Sequence, residues 1–248
     1  MEVAPVITSE ANLTYLKFGP FVNDDIIHLF LAKPNHPGFK TGKTHQEVIN
    51  GALRALSLPI RPVISLQQVH GNHTLILDRK SHLSSLSLPA IADALFTNRN
   101  DLYLTVRVAD CLPIYVYDSA NQIIGLIHAG WRGTLLGIAK RALQAAQAEL
   151  GLNPAACAVL LGPCIKPCCY QISAEVALLF SGNSINYQGQ KHYLDLCNIN
   201  REQLLKMGVE ERNIYQVPDC TFCNSNLYYS YRRSQNRNER MYAVFGLR

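Results

Sequence analysis

His128 closes an apolar run, Gln122-Ile-Ile-Gly-Leu-Ile-His128, just before the chain turns through Ala129-Gly130-Trp131-Arg132-Gly133-Thr134. Leu135, Ile138, Ala139, Ala142 and Leu143 then give the apolar stripe of a helix. An imidazole at such a strand-to-helix turn can bind a metal, move a proton, or sit in the core satisfied by a carbonyl. Gly130 and Gly133 let the backbone approach a ligand closely, and free amides at a helix start can hold an anion. Two other segments end alike. Arg107-Val-Ala-Asp110-Cys111-Leu-Pro113 lies between apolar runs at 102–106 and 114–117, and Ile64-Ser-Leu-Gln67-Gln68-Val-His70-Gly71 ends in a His and a Gly. Two imidazoles and a thiolate, from His70, Cys111 and His128, would leave a fourth tetrahedral position open, as catalytic zinc requires. The ligands are far apart in the chain and match neither His-Glu-x-x-His nor paired Cys-x-x-Cys, so a second chemistry stays open. Cys111 could be a nucleophile, with His70 or His128 as base and the turn at 130–133 as oxyanion hole.

The combination Gln68-Val-His-Gly71, Ala109-Asp-Cys-Leu-Pro113, His128-Ala-Gly-Trp-Arg-Gly133, Leu161-Gly-Pro-Cys-Ile165 and Tyr229-Ser-Tyr-Arg-Arg233 resembles the YfiH-type family. Its members were long labelled laccase-domain or multicopper polyphenol oxidases and are now described as purine nucleoside phosphorylases with adenosine deaminase activity. The resemblance runs from about residue 60 to the end of the sequence. It implies layered sheets flanked by helices, with His70, Cys111 and His128 as zinc ligands. It also implies purine nucleosides and phosphate as substrates. In deamination, water activated at zinc would attack the purine carbon bearing the amino group; in phosphorolysis, phosphate would attack the ribose carbon. Arg132, Arg232 or Arg233 could position that anion, Asp110 could shuttle a proton or orient a ligand, and Gln68, Trp131 and Tyr170 could meet the substrate. Where the family usually has Thr-Arg-x-Gly-Gly, this chain has Phe30-Leu-Ala-Lys33-Pro-Asn-His-Pro-Gly38. Lys33 supplies a charge there but not a planar fork. An editing role on peptidoglycan precursors, suggested for similar proteins, fits the Cys-His amide hydrolase alternative.

β-Branched and aromatic content predicts strands near 26–31, 62–68, 73–78, 102–108, 113–117, 122–127, 157–161, 214–217 and 241–246. Helices are expected near 44–56, 131–150, 173–180 and 198–207, with Thr44 ahead of Glu47 and Ser173 ahead of Glu175 as starts. Strand pairs without intervening helices across 102–127 argue for α+β rather than a regular doubly wound sheet. The polar stretches at 33–43 and 181–192 are too short for tethers, so residues 1–248 are read as one mixed domain.

Absent motifs narrow the chemistry. No Gly-x-Gly-x-x-Gly and no Gly-x-x-x-x-Gly-Lys-Ser/Thr occurs, and eight His without a His-x-His pair cannot build a blue-copper centre plus a trinuclear cluster. Polyphenol oxidation is thus disfavoured, although copper could occupy a three-ligand nitrogen and sulfur site adventitiously. The sequence has no signal peptide pattern and no apolar run long enough for a membrane helix, which predicts a cytoplasmic protein. Eight Cys fit a reducing compartment. Cys164, Cys168 and Cys169 with Cys220 and Cys223 could hold a structural metal or an iron–sulfur cluster, but free thiols are the simpler expectation. The net charge of +5 lies wholly in the second half, densest at Arg232-Arg233-Ser-Gln-Asn-Arg237-Asn-Glu-Arg240. That patch matches no nucleic-acid motif, so a small phosphate-bearing substrate is preferred.

Overall fold

A computed structural model of the chain describes residues 1–10, 13–21, 24–33, 44–85, 89–180 and 184–248. The strands in chain order begin with β1 (Pro5–Glu10), β2 (Leu13–Phe18), β3 (Ile26–Leu31), β4 (Val63–Ile64), β5 (Leu66–Gln67) and β6 (Thr74–Leu77). Then come β7 (Ala90–Ile91), β8 (Ala94–Thr97), β9 (Tyr103–Val108), β10 (Leu112–Asp118), β11 (Ile123–Ala129) and β12 (Cys157–Leu161). The last are β13 (Gln171–Ile172), β14 (Ile185–Gln188), β15 (Lys191–Leu194), β16 (Ile214–Gln216) and β17 (Met241–Leu247). The helices are α1 (His45–Ala55), α2 (Trp131–Leu135), α3 (Ile138–Leu150), α4 (Ala174–Ala177), α5 (Leu196–Lys206) and α6 (Tyr231–Ser234).

Two six-stranded sheets form the centre, in the orders β1-β2-β3-β17-β9-β4 and β16-β12-β10-β11-β8-β6. Their central strands, β3, β17 and β9 in the first and β12, β10, β11 and β8 in the second, are largely buried on both faces, and the period of two sorts their side chains between two cores. Leu104, Val106 and Phe245 of the first sheet pack against Tyr115, Leu126 and Leu160 of the second. Residues one step along point the other way. Phe96, Ile114, Ile127 and Val159 meet α3 and α5 through Ile138, Ala142, Leu143 and Leu204, while Leu29, Tyr103 and Val244 meet α1 through Ile49 and Leu53. The result is helix, sheet, sheet, helix: the mixed α+β class expected from the strand and helix pattern, in the layering that the family resemblance implied. Among the described residues, no helix is long and apolar enough to cross a membrane.

Thr44 and Glu47 close a reciprocal capping box on α1, and Ser173 caps α4 through the Val176 amide. The expected helix at 131–150 is broken in two, because Gly137 takes a left-handed φ of 77° between α2 and α3. The strand expected at 62–68 is split into β4 and β5, which join different sheets. The helix expected at 173–180 is only the short α4, and that at 198–207 starts earlier, at Leu196, where Asp195 caps it through the Asn198 amide. β1, β2, β8 and the β14–β15 hairpin carry weaker alternation and were not predicted. Pro34 to Gly38 of the atypical N-terminal segment lie outside the described residues; Lys33 is described, and its Nζ donates to the Ser225 carbonyl at 3.1 Å.

Candidate metal centre and its cleft

Strand ends bring the three separated candidate ligands to one point. His128 stands in β11 opposite Pro113 of β10, so it lies beside the turn that carries Cys111. His70 leaves the end of β5 with φ 60°, and Asp110 precedes Cys111 with φ 89°. Positive φ is uncommon outside glycine, though Asp and His adopt it more readily than most, and it persists where the surroundings enforce it. The ligand atoms of His70, Cys111 and His128 all lie within 4.8 Å of one another, and the two imidazole centroids are 4.8 Å apart at 76°.

Asp93 orients this group. Its Oδ1 meets His128 Nδ1 at 2.8 Å and accepts the His70 amide at 2.9 Å, while Oδ2 accepts the amides of Gly71 at 2.7 Å and Val69 at 3.2 Å. The carboxylate is fully buried. Burial alone would raise its pKa, but the His128 contact and the amides outweigh this and hold it below the ordinary value. The Nδ1 contact leaves His128 Nε2 for the ligand side. Gly130 completes the cradle: a Cβ there would stand 2.7 Å from His70 Cδ2 and 3.1 Å from Cys111 Sγ.

Burial pushes the Cys111 thiol up, yet the adjacent imidazoles of His128 and His70 overcome it and bring the thiol down to about 6. Burial likewise lowers His128, but Cys111 and Asp93 more than offset it and raise the imidazole to about 9. Two imidazoles, one readily ionised sulfur and a buried carboxylate behind one ring fit a zinc ion with an open fourth position.

The group opens into a cleft of about 690 Å³ lined also by Gln68, Asp110, Trp131, Arg132, Tyr170, Tyr231 and Arg232, with Arg107, Gln235, Arg237 and Arg240. Most of the residues expected at the site are therefore together. Arg132 lies over the Trp131 ring at 4.5 Å, and Arg232 lies over the Tyr170 ring at 5.3 Å while donating to the Gln171 carbonyl at 2.7 Å. Gln68 exchanges both hydrogen bonds with the Arg107 backbone, at 2.9 and 2.8 Å, which fixes the strand edge behind the ligands. Asp110 accepts from Thr221 Oγ1 at 2.6 Å, Ser230 Oγ at 3.0 Å and the Arg232 amide at 2.7 Å. Its carboxylate thus holds the segment bearing Arg232.

Arg233 is a correction. It does not line the cleft, because its guanidinium donates to the carbonyls of Thr221, Phe222 and Tyr228 at 3.0, 2.7 and 2.7 Å. Asp93 was missed, although an acid inside the apolar Ala90-Ile-Ala-Asp93-Ala-Leu-Phe96 run signals a charge that needs a buried partner. α2 spans five residues, Trp131–Leu135, with Gly130 at its N-cap.

Residues 38–248 match the family model described as multi-copper polyphenol oxidoreductase laccase. The chain belongs to this family. Purine nucleoside phosphorylase YlmD of Geobacillus stearothermophilus is 32% identical over 228 residues, covering 85% of this chain and 82% of that protein. A purine nucleoside phosphorylase of Bacteroides thetaiotaomicron is 30% identical over 187 residues, covering 71% and 69%. The crystal structure of the Geobacillus YlmD superposes with a TM-score of 0.83 at 28% identity, covering 98% of this chain and 99% of that one. This family carries an oxidase label while its similar members are named phosphorylases.

Proposed function

We propose that this chain is a zinc-dependent purine nucleoside phosphorylase with adenosine deaminase activity, working as one unit over residues 1–248. The observation that carries the reading is the clustering of His70, Cys111 and His128, with their ligand atoms within 4.8 Å of one another, at a cleft lined by arginines and aromatic rings. Relatives named as purine nucleoside phosphorylases support the substrate class. Zinc held by His70, Cys111 and His128 would supply Lewis-acid polarisation and make water acidic at the open position. The protein's own groups do the rest. Arg232 and Arg132 present planar donors for phosphate, and Trp131, Tyr170 and Tyr231 offer faces for the base. Asp110, with three donors already upon it, keeps Arg232 in place rather than serving as a free base. Phosphorolysis forms a ribose carbon–oxygen bond to phosphate and breaks the bond to the purine nitrogen, which takes up a proton. Deamination exchanges the amino group for the oxygen of water and releases ammonia.

Among the described residues, the groups able to hold a metal contain at most two His, which favours this reading over a multicopper oxidase; copper remains an alternative occupant of the nitrogen and sulfur donors. Adenosine in phosphate-free buffer should give inosine and ammonia, and added phosphate should divert flux to adenine and ribose 1-phosphate. A product ratio that ignores phosphate would sink the proposal. The Cys111–His128 pair favours a second reading, a Cys-His amide hydrolase acting on peptidoglycan precursors. Chelation separates the two: nucleoside turnover lost on chelation and restored by zinc supports the first, and chelator-resistant amide cleavage the second.

A further inference from the structure

Behind the residues that line the cleft, two turns bring four more sulfurs together. The turn at 167–169 carries Cys168 and Cys169, and the turn at 221–223 is bracketed by Cys220 and Cys223. The two are stitched by a parallel bridge between Cys164 and Cys220 and by the Thr221 amide donating to the Cys164 carbonyl at 3.1 Å. Cys168 Sγ lies 3.8 Å and Cys169 Sγ 3.3 Å from Cys223 Sγ, and all four sulfurs fall within 4.8 Å of one another. Zinc–sulfur bonds of about 2.3 Å in a tetrahedron put sulfurs about 3.8 Å apart, so the set needs shifts of only tenths of an ångström to up to about 1 Å. The Lys166 amide lies 3.5 Å from Cys220 Sγ, the kind of backbone contact that steadies a thiolate. Cys164 is turned away into a separate buried group, 3.4 Å from Cys197, whose sulfur takes the Lys166 ammonium at 3.1 Å.

We propose that Cys168, Cys169, Cys220 and Cys223 form a second metal site, a closed tetrathiolate that holds structural zinc. The spacing unites a vicinal pair with a Cys-x-x-Cys pair, and four protein ligands leave no open position, unlike the centre in the cleft. Binding displaces four thiol protons to solvent, and the four sulfurs donate their lone pairs to the cation. The site would act on the cleft through its walls. Cys169 precedes Tyr170, and Thr221, which donates to Asp110, lies between Cys220 and Cys223.

Cobalt(II) titration of the reduced full-length chain tests this, because the sulfur-to-cobalt charge-transfer band grows with the number of thiolates on the metal. Wild type should take about two equivalents. Cys111→Ala should keep about one, with the strong tetrathiolate band, and Cys223→Ser, left with three thiolates at that site, should show the band weakened by at least about a quarter. Cys111→Ala without a strong band, or Cys223→Ser with it undiminished, overturns the site. Should Cys223→Ser unfold, alkylation of the wild-type chain decides. Added zinc should shield Cys168, Cys169, Cys220 and Cys223 together; equal labelling with and without zinc, or a Cys169–Cys223 disulfide in zinc-replete protein, overturns it.

Discussion

Asp93 couples two parts of the site through one carboxylate, since it holds the His128 ring and also the three successive amides that carry His70. Asp93→Asn keeps the volume but replaces an oxygen acceptor with an amide donor and removes the charge. Zinc affinity, read by competition with a chromogenic chelator, should fall roughly 10- to 100-fold, the usual effect of losing a group that orients a ligand. Unchanged affinity would mean that the ring is held by packing alone. Gly130 makes a steric prediction: Gly130→Ala puts a methyl against His70 and Cys111, so affinity should drop at least about tenfold. Gly137→Ala is the control, with open space around it but a positive φ. It should lower the melting temperature by strain of about 1 kcal/mol and leave zinc affinity alone.

The short α6 divides its two arginines between tasks. Arg232 faces the cleft, so Arg232→Lys should raise the KM for phosphate roughly tenfold, about 1.4 kcal/mol, with little change in melting temperature. Arg233 ties three carbonyls together, so Arg233→Ala should cost about 1–3 kcal/mol of stability, read in the urea midpoint. A phosphate-specific defect in the Arg233 variant would place its side chain in the cleft after all. Tyr-Arg-Arg alone could not separate these roles, because the distinction lies in which carbonyls surround the second guanidinium. The candidate triad was legible, since His128 closes an apolar run, Cys111 lies between two apolar runs and His70 follows a β-like run, and the Thr44–Glu47 box was written in local spacing. Gly137 could have marked the break between α2 and α3. The choice of Cys168, Cys169, Cys220 and Cys223 over Cys164 was not legible, because it depends on which face of the Cys164–Cys220 bridge each sulfur takes.

Across the molecule, His28 gives the acid response a defined cause. Buried in the first sheet, it accepts the Phe18 amide at 2.9 Å, which requires an unprotonated Nε2. Burial, then Lys17, lowers its pKa from 6.5 to about 4 against a hydrogen bond to the Phe21 backbone. The unfolded chain therefore binds this proton first. The contribution of His28 to stability should be whole above pH 6.5 and decline toward pH 4, by on the order of 3 kcal/mol. His28→Gln retains an acceptor but cannot titrate, so its urea midpoint should vary less across that window; an identical slope would assign the acid loss elsewhere. The position of β17 bears on synthesis as well. It lies between β3 and β9 and pairs with both, so the sheet's middle is made from its last-translated strand. Until Met241–Leu247 leave the ribosome, β3 and β9 have no shared neighbour and their edges stay open to other chains. A nascent chain can assemble the whole second sheet, with His128 beside Cys111, while the first remains split. The first sheet can therefore close only once β17 has emerged, and the open edges of β3 and β9 are most exposed to other chains in the interval before it.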